Sequence, residues 1–99
     1  MYEKKQILTY LLRNKPSFLQ KYHLIKVGIF GSYARNEQRY DSDLDLMVEF
    51  EQNTPNLSRI KEELRNEIQQ ELHISVDICR EKYVKPIFRK QILAETEYV

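Results

Sequence analysis

Apolar residues along this chain fall into three short alternating runs and two stretches at helical spacing, and their order sets the expected architecture. Ile25, Val27 and Ile29 alternate with Lys26 and Gly28 and run into Phe30. Leu44, Leu46 and Val48 alternate with Asp43, Asp45, Met47 and Glu49, and Ile74, Val76 and Ile78 alternate with Ser75 and Asp77. Each run predicts a β-strand with one buried face. Ile7, Leu8, Leu11 and Leu12 predict a helix over Glu3 to Leu12, and Pro16 is expected to open a second short helix through Phe18 and Leu19. Leu57, Ile60, Leu64, Ile68 and Leu72 predict a longer amphipathic helix after the Asn53-Thr54-Pro55-Asn56 break. A further short helix is expected to begin around Tyr33-Ala34-Arg35, directly after the first strand. The elements then alternate between helix and strand, which predicts an α+β fold: a small mixed β-sheet with helices on one face. The other face is left to polar side chains.

Those polar side chains are chemically suggestive. Successive residues of a strand point to opposite faces, so Asp43 and Asp45 lean to one side while Leu44 and Leu46 bury the other. Their Cα atoms are expected roughly 6.5 Å apart, near enough for both carboxylates to reach one or two shared cations. Oxygen ligands of this kind select Mg²⁺ or Mn²⁺. Gly31-Ser32 follows the first strand and precedes Asp43 by ten intervening residues. A glycine there allows close backbone approach by a ligand, and free N–H groups with a serine hydroxyl suit phosphate oxygens. Asp77 in the third strand supplies a third carboxylate if that strand lies beside the second. Three converging carboxylates repel one another unless cations hold them, and two ions some 3.5–4 Å apart stabilise the attacking and leaving oxygens of an in-line displacement at phosphorus. A Gly-Ser pair alone is usually a turn, and an Asp-x-Asp alone is usually a solvated strand face. It is their combination, with strands correctly placed on both sides, that points to chemistry.

The combination resembles the DNA polymerase β-like nucleotidyltransferase superfamily. Gly31-Ser32-Tyr33-Ala34-Arg35 followed by Ser42-Asp43-Leu44-Asp45-Leu46-Met47-Val48-Glu49-Phe50 is similar within it to the minimal nucleotidyltransferases (MNT), antitoxins often paired with a HEPN-domain ribonuclease toxin. The ending from Pro86 to Glu95, with Tyr98, also looks like that family's ending. The resemblance implies catalytic and metal-binding roles for Asp43, Asp45 and Asp77, with Asp43 and Asp45 bridging two Mg²⁺ ions and Asp77 completing the coordination of the ion that activates the attacking hydroxyl. It implies triphosphate binding by Gly31 and Ser32, ATP as substrate, and transfer of AMP to a tyrosine of a HEPN toxin. Arg35 has two readings: a contact to nucleotide phosphate, or a surface pair with Glu37. The family usually has glycine after the arginine, where this chain has Asn36; asparagine tolerates a left-handed backbone better than most residues, so the turn is expected to survive. Ser42 is expected to shape the start of the second strand, and Glu49 to be solvated.

Composition narrows the alternatives. The 99 residues are expected to form a single domain, residues 1–99, without length for a second lobe. Sixteen basic against 15 acidic residues give a net charge of +1, which argues against nucleic acid as a direct partner. The lone Cys79 excludes an internal disulfide and a cysteine zinc cluster. His23 and His73 are far apart and are expected at element edges, not as metal ligands. No apolar stretch approaches the ~20 residues of a membrane span, no signal peptide is evident, and a cytoplasmic location is expected. Two other readings of function stay open: an antitoxin that acts by binding and occlusion without catalysis, and transfer of a nucleotide to RNA or a small molecule.

Overall fold

The computed structural model describes all 99 residues. The first helical pattern and the Pro16 segment prove to be one helix, α1 (Lys4–Tyr22), so the expected break does not occur. Solvent explains why. Pro16 and Leu12, four residues before it, are both exposed, so the carbonyl that loses its N–H partner lies on the solvent side of the helix, where water can satisfy it. Ile7, Leu11, Phe18 and Tyr22 on the other side hold the helix to the core. At its start the Glu3 N–H donates to Gln6 Oε1 (2.8 Å), and at its end His23 turns left-handed with φ 59°.

The chain then enters β1 (Leu24–Phe30), passes through the single-turn α2 (Gly31–Ala34) and a polar loop, and returns along β2 (Leu44–Phe50). Helix α3 (Leu57–Leu72) has the bounds its apolar spacing predicts and leads to β3 (Val76–Arg80). A 3₁₀ turn (Glu81–Tyr83), α4 (Pro86–Glu95) and the two-residue β4 (Glu97–Tyr98) complete the chain. The sheet order is β3-β2-β1-β4. β1 is antiparallel to β2 and to β4, whereas β2 and β3 are parallel, so the sheet is mixed as expected.

One strand departs from simple alternation. The register between β1 and β2 slips between Leu24 and Lys26, and this bulge puts Leu24 into the core while Ile25 is 51% exposed. Beyond it the expected pattern resumes, with Val27 and Ile29 buried. The apolar pattern does not predict β4. It is admitted by Gly28, where a Cβ would lie 2.5 Å from the Glu97 carbonyl oxygen and 2.9 Å from Tyr98 Cα.

The core lies between the sheet and the two long helices. Val27, Ile29, Leu44, Leu46, Val48 and Val76 from the strands pack with Ile7, Leu11 and Phe18 of α1 and Leu64, Ile68 and Leu72 of α3. Leu46 is fully buried at the centre of β2, and truncating it to alanine should cost about 2–5 kcal/mol. Met47 faces away with Asp45, yet it is also fully buried and stands outside that cluster. The elements that reach β2 and β1 from outside the main core are the 3₁₀ turn and α4. Part of the polar face of the sheet is therefore sheltered, and the carboxylates lie in its remainder.

Candidate functional site

β1 delivers Gly31 to the site, and β2 delivers Asp45. Phe30 and Asp45 are register partners, so the turn that ends one strand sits against the carboxylate on the next. Gly31 adopts φ 73°, a left-handed conformation that L side chains rarely take. A Cβ added to it would overlap an Asp45 carboxylate oxygen and lie 3.1 Å from Asp45 Cγ. The close approach expected of this glycine is thus already used within the protein, by Asp45 itself. Asn36 likewise is left-handed, φ 58°, so it stands in for the missing glycine as the sequence predicts.

β3 lies beside β2, and Asp77 is the register partner of Asp45. In a parallel pair, partnered residues point to the same face, so these two carboxylates are neighbours on the side opposite Leu44, Leu46 and Val76. Asp43 lies one residue before β2, exposed like Asp77, while Asp45 is half-buried. The loop before it closes on Ser42, whose hydroxyl accepts the Arg39 N–H (2.8 Å) while its own N–H donates to the Arg39 carbonyl (3.0 Å). That is the shaping role expected of it.

Electrostatics mark the same spot. Burial, then the charges of Asp77 and Asp43, push the Asp45 carboxyl up to about 6, with Glu95 adding to the rise and Arg35 opposing it. As the side chains stand, no three acidic, histidine or cysteine residues are close enough to hold one ion. The donor set nevertheless fits a hard divalent cation: Asp43, Asp45 and Asp77 offer oxygen ligands only, and their mutual repulsion at Asp45 is what a cation relieves. Cys79 and the two histidines are not part of the set; His23 and His73 end α1 and α3 in left-handed caps, as their element-edge positions predict.

Two residues differ from their sequence expectations. Glu49, expected to be solvated, accepts a hydrogen bond from Arg80 Nε (2.8 Å). Arg35 does pair with Glu37 (Nε to Oε1, 3.1 Å), but its Nη1 also donates to both carboxylate oxygens of Glu95 (3.1 Å each). Glu95 also accepts the Gly31 N–H at 3.0 Å. Sequence reasoning missed Glu95 as a member of the site because it is 64 positions from Gly31, and nothing local ties them. The only signal was its place in the family-like ending. The most voluminous cleft, about 720 Å³ between Ile25, Glu49, Thr54 and Arg80, lies toward the other end of β2 and contains none of Gly31, Arg35, Asp43, Asp45, Asp77 or Glu95.

A mixed sheet with a Gly-Ser turn set against two strand carboxylates in register is the arrangement of a nucleotidyltransferase. The chain belongs to the nucleotidyltransferase domain family, whose model matches residues 6–99. Among similar proteins is the protein adenylyltransferase MntA of Thermococcus cleftensis, 32% identical over 95 residues that cover 96% of this chain and 94% of that one. A solved minimal nucleotidyltransferase superposes with a TM-score of 0.74 at 32% identity, covering 97% of this chain and 95% of its own. The fold is also shared, at 23% and 20% identity, with a toxin–antitoxin bound to AMP-PNP (TM-score 0.64, 98% of this chain and 72% of that chain) and with a tri-AMPylated Shewanella oneidensis HEPN toxin in complex with its MNT antitoxin (0.56, 96% and 66%).

Proposed function

We propose that this nucleotidyltransferase is an antitoxin that transfers AMP from ATP to a tyrosine hydroxyl of a HEPN ribonuclease toxin. The observation that carries the reading is the Asp45 carboxylate set against the Gly31 turn with Asp77 in register beside it, which brings a backbone N–H suited to a phosphate oxygen near carboxylates suited to a divalent cation. The chemistry of the relatives supports the acceptor and donor: a protein adenylyltransferase by name in one case, an AMPylated toxin in another.

Gly31 N–H, the Ser32 hydroxyl and Arg35 bind the triphosphate and aim its α-phosphorus at the acceptor. The tyrosine oxygen attacks that phosphorus, pyrophosphate leaves, and a phosphodiester to AMP remains on the toxin. Asp77 takes the hydroxyl proton on its carboxylate. Asp43, Asp45 and Asp77 would hold two Mg²⁺ ions, or Mn²⁺, which supply charge neutralisation at the phosphates when bound.

Occlusion is favoured as a contributing mechanism by one feature. No residue of α4 is buried, and Ile87 (83% exposed) and Phe88 (51%) stand on its surface. The two modes are separated by Asp77→Asn, which should still bind ATP and be pulled down with the toxin yet leave it unmodified. Co-expressed with the toxin, this variant should protect cells much less than wild type. Full protection would assign the silencing to occlusion alone.

A further inference from the structure

Glu95 occupies the groups to which the proposed reaction assigns the nucleotide's phosphates. Its Oε1 accepts the Gly31 N–H at 3.0 Å, and both of its oxygens accept from Arg35 Nη1 at 3.1 Å. A carboxylate and a phosphate make the same demands of such donors: an anionic oxygen on a backbone amide and two oxygens on a guanidinium. We propose that Glu95 is the resting occupant of the phosphate site, an internal carboxylate that the triphosphate must displace. This inference rests on the assignment of Gly31 and Arg35 to the triphosphate.

Coexistence of the two anions is disfavoured by geometry and by charge. Gly31 has one N–H, so a phosphate oxygen and Glu95 Oε1 compete for it. A phosphate added beside an unmoved Glu95 would place another negative group next to Asp45, already crowded by Asp43 and Asp77. Glu95 must therefore swing away, and it does so by side-chain rotation alone. Its backbone is pinned: the next residue, Thr96, donates its N–H to Ile92 O (3.1 Å), and Glu97 and Tyr98 pair with Ile29 and Gly28 of β1. The released carboxylate turns to solvent, since Glu95 lies at the end of a helix with no buried residue.

This arrangement has a signature that a merely supportive Glu95 lacks. The apparent nucleotide affinity is reduced by the fraction of molecules in which the site is self-occupied. Removing the competitor should tighten binding. If Glu95 instead served to hold Arg35 ready for the phosphate, removing it should loosen binding.

The test is titration calorimetry of the full chain with AMP-PNP and Mg²⁺, comparing wild type, Glu95→Gln and Glu95→Ala, each checked for an intact amide NMR spectrum. Both variants should bind at least roughly threefold more tightly. Unchanged or weaker binding in both overturns the proposal. Arg35→Ala added to Glu95→Gln separates the two layers of inference. Loss of affinity there upholds the phosphate assignment whatever Glu95 does, whereas no loss overturns that assignment and the Glu95 proposal together. A second readout needs no affinity. The chain has two glycines, so the Gly31 amide resonance is readily followed. It should move on Glu95→Ala without nucleotide, and move again when AMP-PNP is added to wild type. A Gly31 amide indifferent to both contradicts the exchange.

Discussion

Asp45 is where the demands of folding and of chemistry conflict. Its carboxyl is pushed up to about 6 from an ordinary value near 3.8, first by burial and then by Asp77 and Asp43. A raised folded-state value means that the folded chain holds the proton more tightly than the unfolded chain. The ionised group therefore opposes folding at neutral pH, and the penalty is released as pH falls from about 7 toward 4. Two pH units correspond to about 3 kcal/mol, which partial solvent exposure reduces to roughly 1–2. Asp45→Asn should accordingly be more stable than wild type by that amount at pH 7.5 without divalent ions, and the gain should shrink at pH 5. Thermal melts in EDTA at the two pH values check this; a less stable Asn variant would show that the carboxylate is supported by contacts other than those described. Gly31 answers to the same carboxylate. Gly31→Ala must carry a left-handed backbone and push a Cβ into Asp45, at a cost of roughly 2 kcal/mol or more, measurable by urea denaturation. That Gly31 serves close approach was legible in the sequence, but a glycine's spacing cannot say that the approaching atom is Asp45's. Glu95 was hidden for a related reason, because the pairing of distant segments is made by the sheet and not by neighbours along the chain.

The elements show which local rules yield to tertiary context. The apolar spacing of α3 gave its limits, since the signal is long and the break before it is strong. Pro16 does not end the helix because the cost of proline in a helix is greatest where the orphaned carbonyl is buried, and here both Pro16 and Leu12 are on the exposed side. Removing the proline tests this. Pro16→Ala should stabilise the chain by about 1–2 kcal/mol, the helix gain being offset in part by a freer unfolded state, and a lower denaturation midpoint would mean that α1 needs the ring at this position. The bulge in β1 was equally invisible, because Ile25, Val27 and Ile29 alternate perfectly. Substitution distinguishes the two registers: Leu24→Ala should cost about 2–5 kcal/mol, while Ile25→Thr should stay within about 0.5 kcal/mol of wild type. β4 is too short to carry any periodic signal, and the space at Gly28 that admits it has meaning only once β1 is part of a sheet.

Taken together, the fold puts most of its apolar core on one side of the sheet and Asp45 and Asp77 on the other. α1 and α3 bury Leu44, Leu46 and Val48, and the alternation that does so obliges Asp45 to face away, where the parallel pairing with β3 brings Asp77 alongside. The succession of β1, β2 and β3 along the chain, and the face on which Asp45 and Asp77 stand, could be read from sequence because both depend on period-2 alternation. That Asp77 comes to lie beside Asp45 depended on one pairing, β2 with β3, that alternation leaves open. With a net charge of +1, the molecule has no general excess for polyanions, so the proposed reaction assigns nucleotide recognition to local groups: Gly31, Ser32, Arg35 and the ions the carboxylates would hold. The decisive measurement is transfer of label from [α-³²P]ATP with Mg²⁺ to the HEPN toxin, using wild type, Asp45→Asn and Asp77→Asn proteins shown to be folded. Wild type should label the toxin on tyrosine, and both variants should fall to background. Labelling at the wild-type level by either variant would contradict the assignment of the Asp45–Asp77 face as the seat of nucleotidyl transfer.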